Sequence, residues 1–348
     1  MTADVAVVGG GPVGLGVAIE AALAGLDAVV LDPRGPGTDK ACGEGLMPDA
    51  VAHLGRWGVH PEGGAIRGLR YTDGRRSAEH RFAGGEGRGV RRTVLHRAMA
   101  ERADALGVRV VRAAVRGVEQ DRGGVTAGPV RARYAVAADG LHSPLRRALG
   151  LEARARGSRR YGLRRHFRVE PWSDLVEVHW RADHELYVTG VAPDVVGVAL
   201  LGRRGLDLGA AIAACPELAR RLAGAEPADA LRGAGPLRQR SRRRTAGRVA
   251  LAGDAAGYVD ALTGEGLAVG FASARAVIEA VVADDLPSYE AGWLRATRVP
   301  RLMTGGMLAL AESPLRAAIV PAAGLLPTAF GAAAQAIAGG SGPHPVAA

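Results

Sequence analysis

The chain has 348 residues, of which 48% are hydrophobic and 4% aromatic, and its formal net charge is +10. That length buries a large core and suggests two domains, and the composition is that of a soluble protein. The positive charge is nearly all arginine scattered along the chain, with Lys40 the only lysine, and the densest cluster, Arg238 to Arg248, has no interleaved aromatics, which argues against a nucleic-acid partner.

The first element is a strand-like run from Asp4 to Val8, followed by the turn Gly9-Gly10-Gly11-Pro12-Val13-Gly14 and an apolar helix running through Leu15, Ile19 and Leu23 to Gly25. Strand, glycine turn and helix in that order predict a dinucleotide site. Gly9 permits the tight turn, Gly11 lets the backbone approach a diphosphate, and Gly14 lets helix and strand pack closely. The free N–H groups at the helix start then face the phosphates. A second strand, Asp27 to Leu31, ends in Asp32, placed to accept both ribose hydroxyls of an adenosine. Arg34 just beyond it is either an adenosine or 2'-phosphate contact or a turn arginine.

The segment from Lys40 to Pro48 carries Cys42 and Gly43. A helix is predicted from Arg92 to Leu106, with Leu95, Met99 and Leu106 on one face and Gly107 as its stop. Next comes Asp139-Gly140-Leu141-His142-Ser143-Pro144-Leu145-Arg146. From Tyr161 the pattern changes to four strand-like runs, Tyr161 to Val169, Leu175 to Trp180, Glu185 to Val191 and Val195 to Leu201, predicting an antiparallel sheet. Alternation places His166 with Arg164 on one face, and His179 with Glu177 on one face. His166, His179 and Tyr187 are therefore candidates for a substrate wall. A helical segment around Asp207 to Ala223 follows, and the strand Arg248 to Ala252 returns the chain to the nucleotide-binding unit.

Gly253-Asp254-Ala255-Ala256 and the turn Asp260 to Gly266 lead into a long helix to about Ala283. Gly264 and Gly266 lack side chains, so their N–H groups can approach a flat ring edge, and a helix N-terminus stabilises negative charge developing there. Glu265 between them reads as a helix-start residue facing solvent or an adjacent arginine, within the same cofactor site. The uncharged stretch from Ala317 to Gly340 contains Pro321 and Pro327, which predict two packed helices or a lipid-docking surface rather than a membrane span. Cys42 and Cys215 form no metal-ligand pattern, and no metal site is expected. With no signal peptide visible, a reduced cytoplasmic protein is expected.

The three glycine-rich motifs, in this order, resemble those of the group A flavoprotein monooxygenases, which share the p-hydroxybenzoate hydroxylase-like fold. The chain is similar within them to the geranylgeranyl reductase branch of bacterial FAD-dependent oxidoreductases. The resemblance implies an α/β fold in which a Rossmann-like FAD-binding domain of the GR2 type interleaves with an antiparallel-sheet substrate domain and ends in a helical tail. Residues 1–65, 88–155 and 245–285 are assigned to the FAD domain, 66–87 and 156–244 to the substrate domain, and 286–348 to the tail. FAD is the implied cofactor and NAD(P)H the implied electron donor. Gly9, Gly11, Gly14, Asp32, Arg34, Cys42, Gly43, Arg92, Asp139, Gly253, Asp254, Gly264, Glu265 and Gly266 are the implied cofactor residues. Arg91 and Arg97 compete with Arg92 for the diphosphate.

Two reactions fit the resemblance. In the first, a flavin C4a-hydroperoxide hydroxylates an apolar aromatic or polyketide-type molecule. In the second, reduced FAD delivers hydride to a carbon-carbon double bond of an isoprenoid, with Cys42 as proton donor and Gly264 and Gly266 stabilising the reduced ring. Gly257 and Ala261 stand where hydroxylases commonly have histidine and proline, a departure toward the reductase branch. The short chain favours hydroxylation. A flavin-scaffolded cyclase or binding protein without redox turnover is the third reading. A small apolar substrate suits all three, and contact with a membrane surface is compatible with them.

Overall fold

A computed structural model describes residues 1–155 and 157–339. Five short apolar runs, each bounded by turns or helices, pair into the parallel core of the first sheet. Thr2–Val8 lies between Val130–Ala137 and Ala28–Leu31, with Val5 opposite Tyr134 and Val8 opposite Leu31. Val249–Leu251 pairs outside Val130–Ala137, and Arg109–Val111 outside Ala28–Leu31. Val5–Val8, Ala28–Leu31 and Val249–Leu251 are buried on both faces, so they read as continuous Val, Ala and Leu rather than as alternation. The helices Pro12–Leu23 and Gly266–Val282 pack against each other beside this sheet, contributing Leu15, Ile19, Phe271 and Val277 to its core. Gly14 is required here, since a Cβ would lie inside the carbonyl of Gly9.

The second large sheet is mostly antiparallel. Arg160–Arg168, Val195–Arg203, His184–Ala192 and Leu175–Trp180 are neighbours in that order, close to the four predicted runs. Gly68–Thr72 then adds in parallel to Leu175–Trp180 and carries Ser77–Arg81 at the edge. A three-stranded sheet of Gly45–Leu46, Gly87–Gly89 and Gly64–Ile66 bridges the two. Gly89 lies directly on the carbonyl of Gly190 in the second sheet, leaving no space for a Cβ, so the bridging strands are pressed against that sheet. This contact fixes where the loop ahead of Gly45 runs.

The helix predicted over 207–223 is two short helices, Leu208–Ala213 and Pro216–Arg221, because Pro216 lacks the N–H that would continue the first. The tail forms Tyr289–Ala311, Ile319–Leu325 and Pro327–Ile337, so its apolar stretch is two helices as far as Gly339, with Gly340 outside the described residues. Phe330, Ala334 and Ile337 pack on Tyr71, Val176 and Trp180 of the second sheet. Among the described residues no single helix is long and apolar enough to cross a membrane. Only the pair Leu286–Ala311 and Pro314–Leu325, bent by 98°, reaches that composition together.

Candidate cofactor and substrate site

A cavity of about 600 Å³ lies where the two large sheets and the bridging sheet meet. One end is polar and is built on the glycine turn. The N-terminal residues of Pro12–Leu23 have no side-chain cap, so the helix start presents unpaired N–H groups there. Space at Gly11 is open except for the Arg92 guanidinium, 3.7 Å from where a Cβ would stand. Lys40 reaches in from the loop, with Nζ 3.3 Å from the equivalent point on Gly140. Burial and the neighbouring cations Arg34 and Arg92 hold the Lys40 ammonium below its ordinary value. On Asp254, burial pushes the carboxyl up, against the pull of Lys40, Arg92 and Arg146.

Asp32 closes this end from behind. Its Oδ2 accepts the Gly10 N–H at 2.7 Å, and the Arg34 guanidinium and backbone N–H occupy both carboxylate oxygens at 2.8 to 3.0 Å. Burial works to raise the Asp32 carboxyl, and these donors more than reverse it. Asp139 accepts the Leu145 N–H at 3.0 Å, which orders the turn after Ala137. Arg146, wholly buried, donates to the carbonyls of Leu141, Asp254 and Ala255 and to Gln239, and thereby ties the second glycine motif to the third. Gly9 and Gly253 lie behind the wall, packed on Ala138 and Val13.

The other end is apolar. Leu69, Tyr71, Val176, Val178 and Leu201 rise from the second sheet, and Met47, Leu262 and Ile337 close over them. Tyr187 is in this wall, with its hydroxyl donating to the Leu262 carbonyl at 2.9 Å. Cys42, Gly43, Gly264 and Gly266 stand between the two ends. Burial raises the Cys42 thiol, so it stays protonated at neutral pH. Tyr258, also in the wall, is raised further by burial and packs its ring 3.2 Å from where a Cβ on Gly266 would stand.

Three expectations are corrected by this geometry. His166 and His179 do not line the cavity. The ring of His166 is turned between Glu44 and Asp229, and His179 lies behind the sheet, 3.5 Å from Cys215 and 3.4 Å from Glu177. His179 is held at about 9, since Cys215 and Glu177 overcome the effect of burial. Glu265 faces neither solvent nor an arginine. It is buried with Oε2 unpaired, and burial raises it to about 7 against the nearby Thr263 and Thr304 hydroxyls. Of the three competing arginines Arg92 alone lines the cavity, while Arg91 pairs with Asp229 at 3.6 Å and Arg97 lies near Gly37.

Lys40, Glu44, Tyr71 and Tyr258 are wall residues that motif reading passes over. A single lysine in an arginine-rich chain was the one available signal. The cations converge round a turn whose free N–H groups point the same way, an arrangement short of negative charge that a diphosphate supplies.

The residues from 2 to 193 match the FAD binding domain family. The chain belongs to that family. FAD, an elongated dinucleotide with a diphosphate at its centre, fits the polar end just described. Over 57 residues the chain is 56% identical to menaquinone reductase of Mycolicibacterium smegmatis, covering 16% of this chain and 14% of that one. Over 319 residues it is 31% identical to dialkyldecalin synthase of Streptomyces rugosporus, covering 79% of this chain and 64% of that one. Rifampicin monooxygenase of Streptomyces venezuelae is 32% identical over 165 residues, 42% of this chain and 34% of that one. The chain thus spans less than two thirds of each of these relatives. Flavin-dependent brominase Bmp2 superposes with a TM-score of 0.84 at 18% identity, over 98% of this chain and 94% of the other, which shows the shared fold.

Proposed function

We propose that this protein is an FAD-dependent monooxygenase that hydroxylates an apolar aromatic or polyketide-type molecule, with NAD(P)H as reductant. The observation that carries this reading is the continuity of one cavity, with an anion-seeking end at the glycine turn and an apolar end on the second sheet. Gly11, Arg92 and Asp254 hold the cofactor chain, Gly9 and Gly14 shape the turn behind them, and a ribose beside Asp32 would share that carboxylate with Arg34. The division of the chain into an interleaved FAD unit, a substrate unit and a tail follows the same two-ended layout.

FAD, when bound, supplies two-electron chemistry and activates oxygen. The protein's part is to orient and to exclude water. Gly264 and Gly266 leave room for a ring edge at a helix start, where negative charge is stabilised. Tyr71, Val178, Leu201 and Ile337 form a dry wall against which an apolar ring or chain packs. Rifampicin monooxygenase, named for this type of reaction, is among the relatives.

A second reading is supported by Cys42 in the cavity wall, where burial keeps a proton on sulfur, and by the local identity to menaquinone reductase. On that reading the cofactor would supply hydride chemistry at a carbon-carbon double bond, and Cys42 in the cavity wall holds the proton that completes the reduction. The longer alignment with dialkyldecalin synthase supports a third, in which the cofactor shapes the cavity for a cyclisation. The test is to reduce the holoprotein anaerobically, mix it with isotopically labelled oxygen and candidate phenols or polyprenyl compounds, and weigh the products. One labelled oxygen atom in the product is the expected result. Anaerobic reoxidation by an alkene with gain of two hydrogens would replace hydroxylation with reduction.

A further inference from the structure

Glu44 stands out in the backbone before its side chain is considered. It is one of two non-glycine residues with positive φ among those described, at 60°, and it is buried in the cavity wall. Such a conformation is strained for a residue with a side chain and persists only where the surroundings hold it. Both carboxylate oxygens are held: Oε1 accepts the Arg92 backbone N–H at 2.7 Å, and Oε2 meets His166 Nε2. The Glu44 N–H in turn donates to Cys42 Sγ at 3.4 Å.

His166 is held on its other side as well, its Nδ1 lying 2.6 Å from Asp229 Oδ2. Asp229 also accepts the His166 backbone N–H, at 3.0 Å. Glu44 and His166 side chains are each 1% exposed and that of Asp229 is 16% exposed, so the three run from the cavity wall outward to solvent. The other charges facing them are Arg164, 3.0 Å from His166 Nδ1, 2.6 Å from Asp229 and 3.7 Å from Glu44 Oε1, and Arg91, 3.6 Å from Asp229. Arg164 is shared with Asp39, which pairs in turn with Arg232. Two carboxylates on opposite nitrogens of one imidazole allow a proton to enter on one side while another leaves.

We propose that Glu44, His166 and Asp229 form a proton relay between the cavity and solvent. A proton taken from water by Asp229 Oδ2 passes to His166 Nδ1 while the proton on Nε2 passes to Glu44 Oε2 and from there into the cavity. One N–H bond forms as the other breaks, no electrons move, and Asp229 returns to the carboxylate. The dry cavity can then exchange protons during cofactor reduction without opening to solvent. The relay rests on the FAD reading.

The experiment uses the holoprotein reduced in a stopped-flow cell by reduced methyl viologen, which donates electrons without protons, in weak buffer with a pH-indicating dye. Bleaching of the visible flavin band and proton uptake are followed together. His166→Gln keeps a hydrogen-bonding side chain but cannot titrate, and its proton uptake is expected to slow by at least about tenfold, with added imidazole restoring it. Asp229→Asn, at the outer end, is expected to show the same slowing and serves as the second variant. Uptake at the wild-type rate in either fully flavinated variant would overturn the relay and leave a structural brace. A wild-type protein with no flavin band would overturn the cofactor reading and the relay with it.

Discussion

A side chain at Gly11 meets only the Arg92 guanidinium, whereas one at Gly14 would enter the Gly9 carbonyl. Gly11→Val is therefore expected to leave the melting temperature of the cofactor-free protein within a few degrees while abolishing retention of the yellow cofactor. Gly14→Val is expected to cost about 3 kcal/mol or more, measured by denaturant unfolding. Full yellow colour in Gly11→Val would sink the assignment of the turn. Lys40 belongs to the same corner through charge. Lys40→Met removes one of three converging cations and is expected to weaken FAD binding by about tenfold, roughly 1.4 kcal/mol, in a fluorescence titration. These glycines were legible in the sequence because spacing along the chain sets their geometry. The burial of Glu265 was not, because it depends on Thr304, 39 positions further on, coming to lie over the helix start.

The loop from Tyr258 to Gly266 holds two buried acids. Burial raises Asp260 to about 6 despite the nearby Arg160, and Glu265 to about 7. Each has a folded pKa above its unfolded value, so the stability each contributes is complete below about pH 4 and is lost as pH rises through 6 and 7. The melting temperature is expected to fall between about pH 4 and pH 7. In Glu265→Gln that fall should shrink, by up to roughly 3 kcal/mol for a carboxyl raised from 4.5 to about 7. An unchanged pH profile in Glu265→Gln would show that the carboxyl is solvated. Arg160 also pairs with Glu185, which Arg316 reaches at 2.6 Å, so the loop is braced to the second sheet and the tail. Elements of this kind were readable where their pattern is local, as in Arg92–Ala105 and the four long strands. Their side-chain partners were not, since His166 meets Asp229 and Glu44 across 63 and 122 positions.

At the scale of the molecule the cavity takes its walls from the first sheet, the second sheet and the tail. Ile337 is the tail's contribution, and Ile337→Trp is expected to narrow the apolar end. The FAD titration should be unchanged while KM for a bulky substrate rises about tenfold. Loss of FAD affinity in that variant would mean that the tail borders the cofactor instead. The interleaving of the two units follows from the motif order, because the third glycine motif returns to a sheet begun by the first. Which residues the tail meets on the second sheet was not readable, since an alanine-rich helix carries little pattern to choose a partner.

Ile337 is also synthesised after every strand of the two large sheets. N-terminal units fold first during synthesis, so both sheets can be in place while Pro327–Ile337 is still in the exit tunnel. During that interval the apolar end has no cover, and an elongated cofactor can thread in sideways. Once Pro327–Ile337 docks on Tyr71 and Trp180, exchange must pass through the remaining opening. Release of cofactor from the finished protein should then be slow compared with its capture by the growing chain.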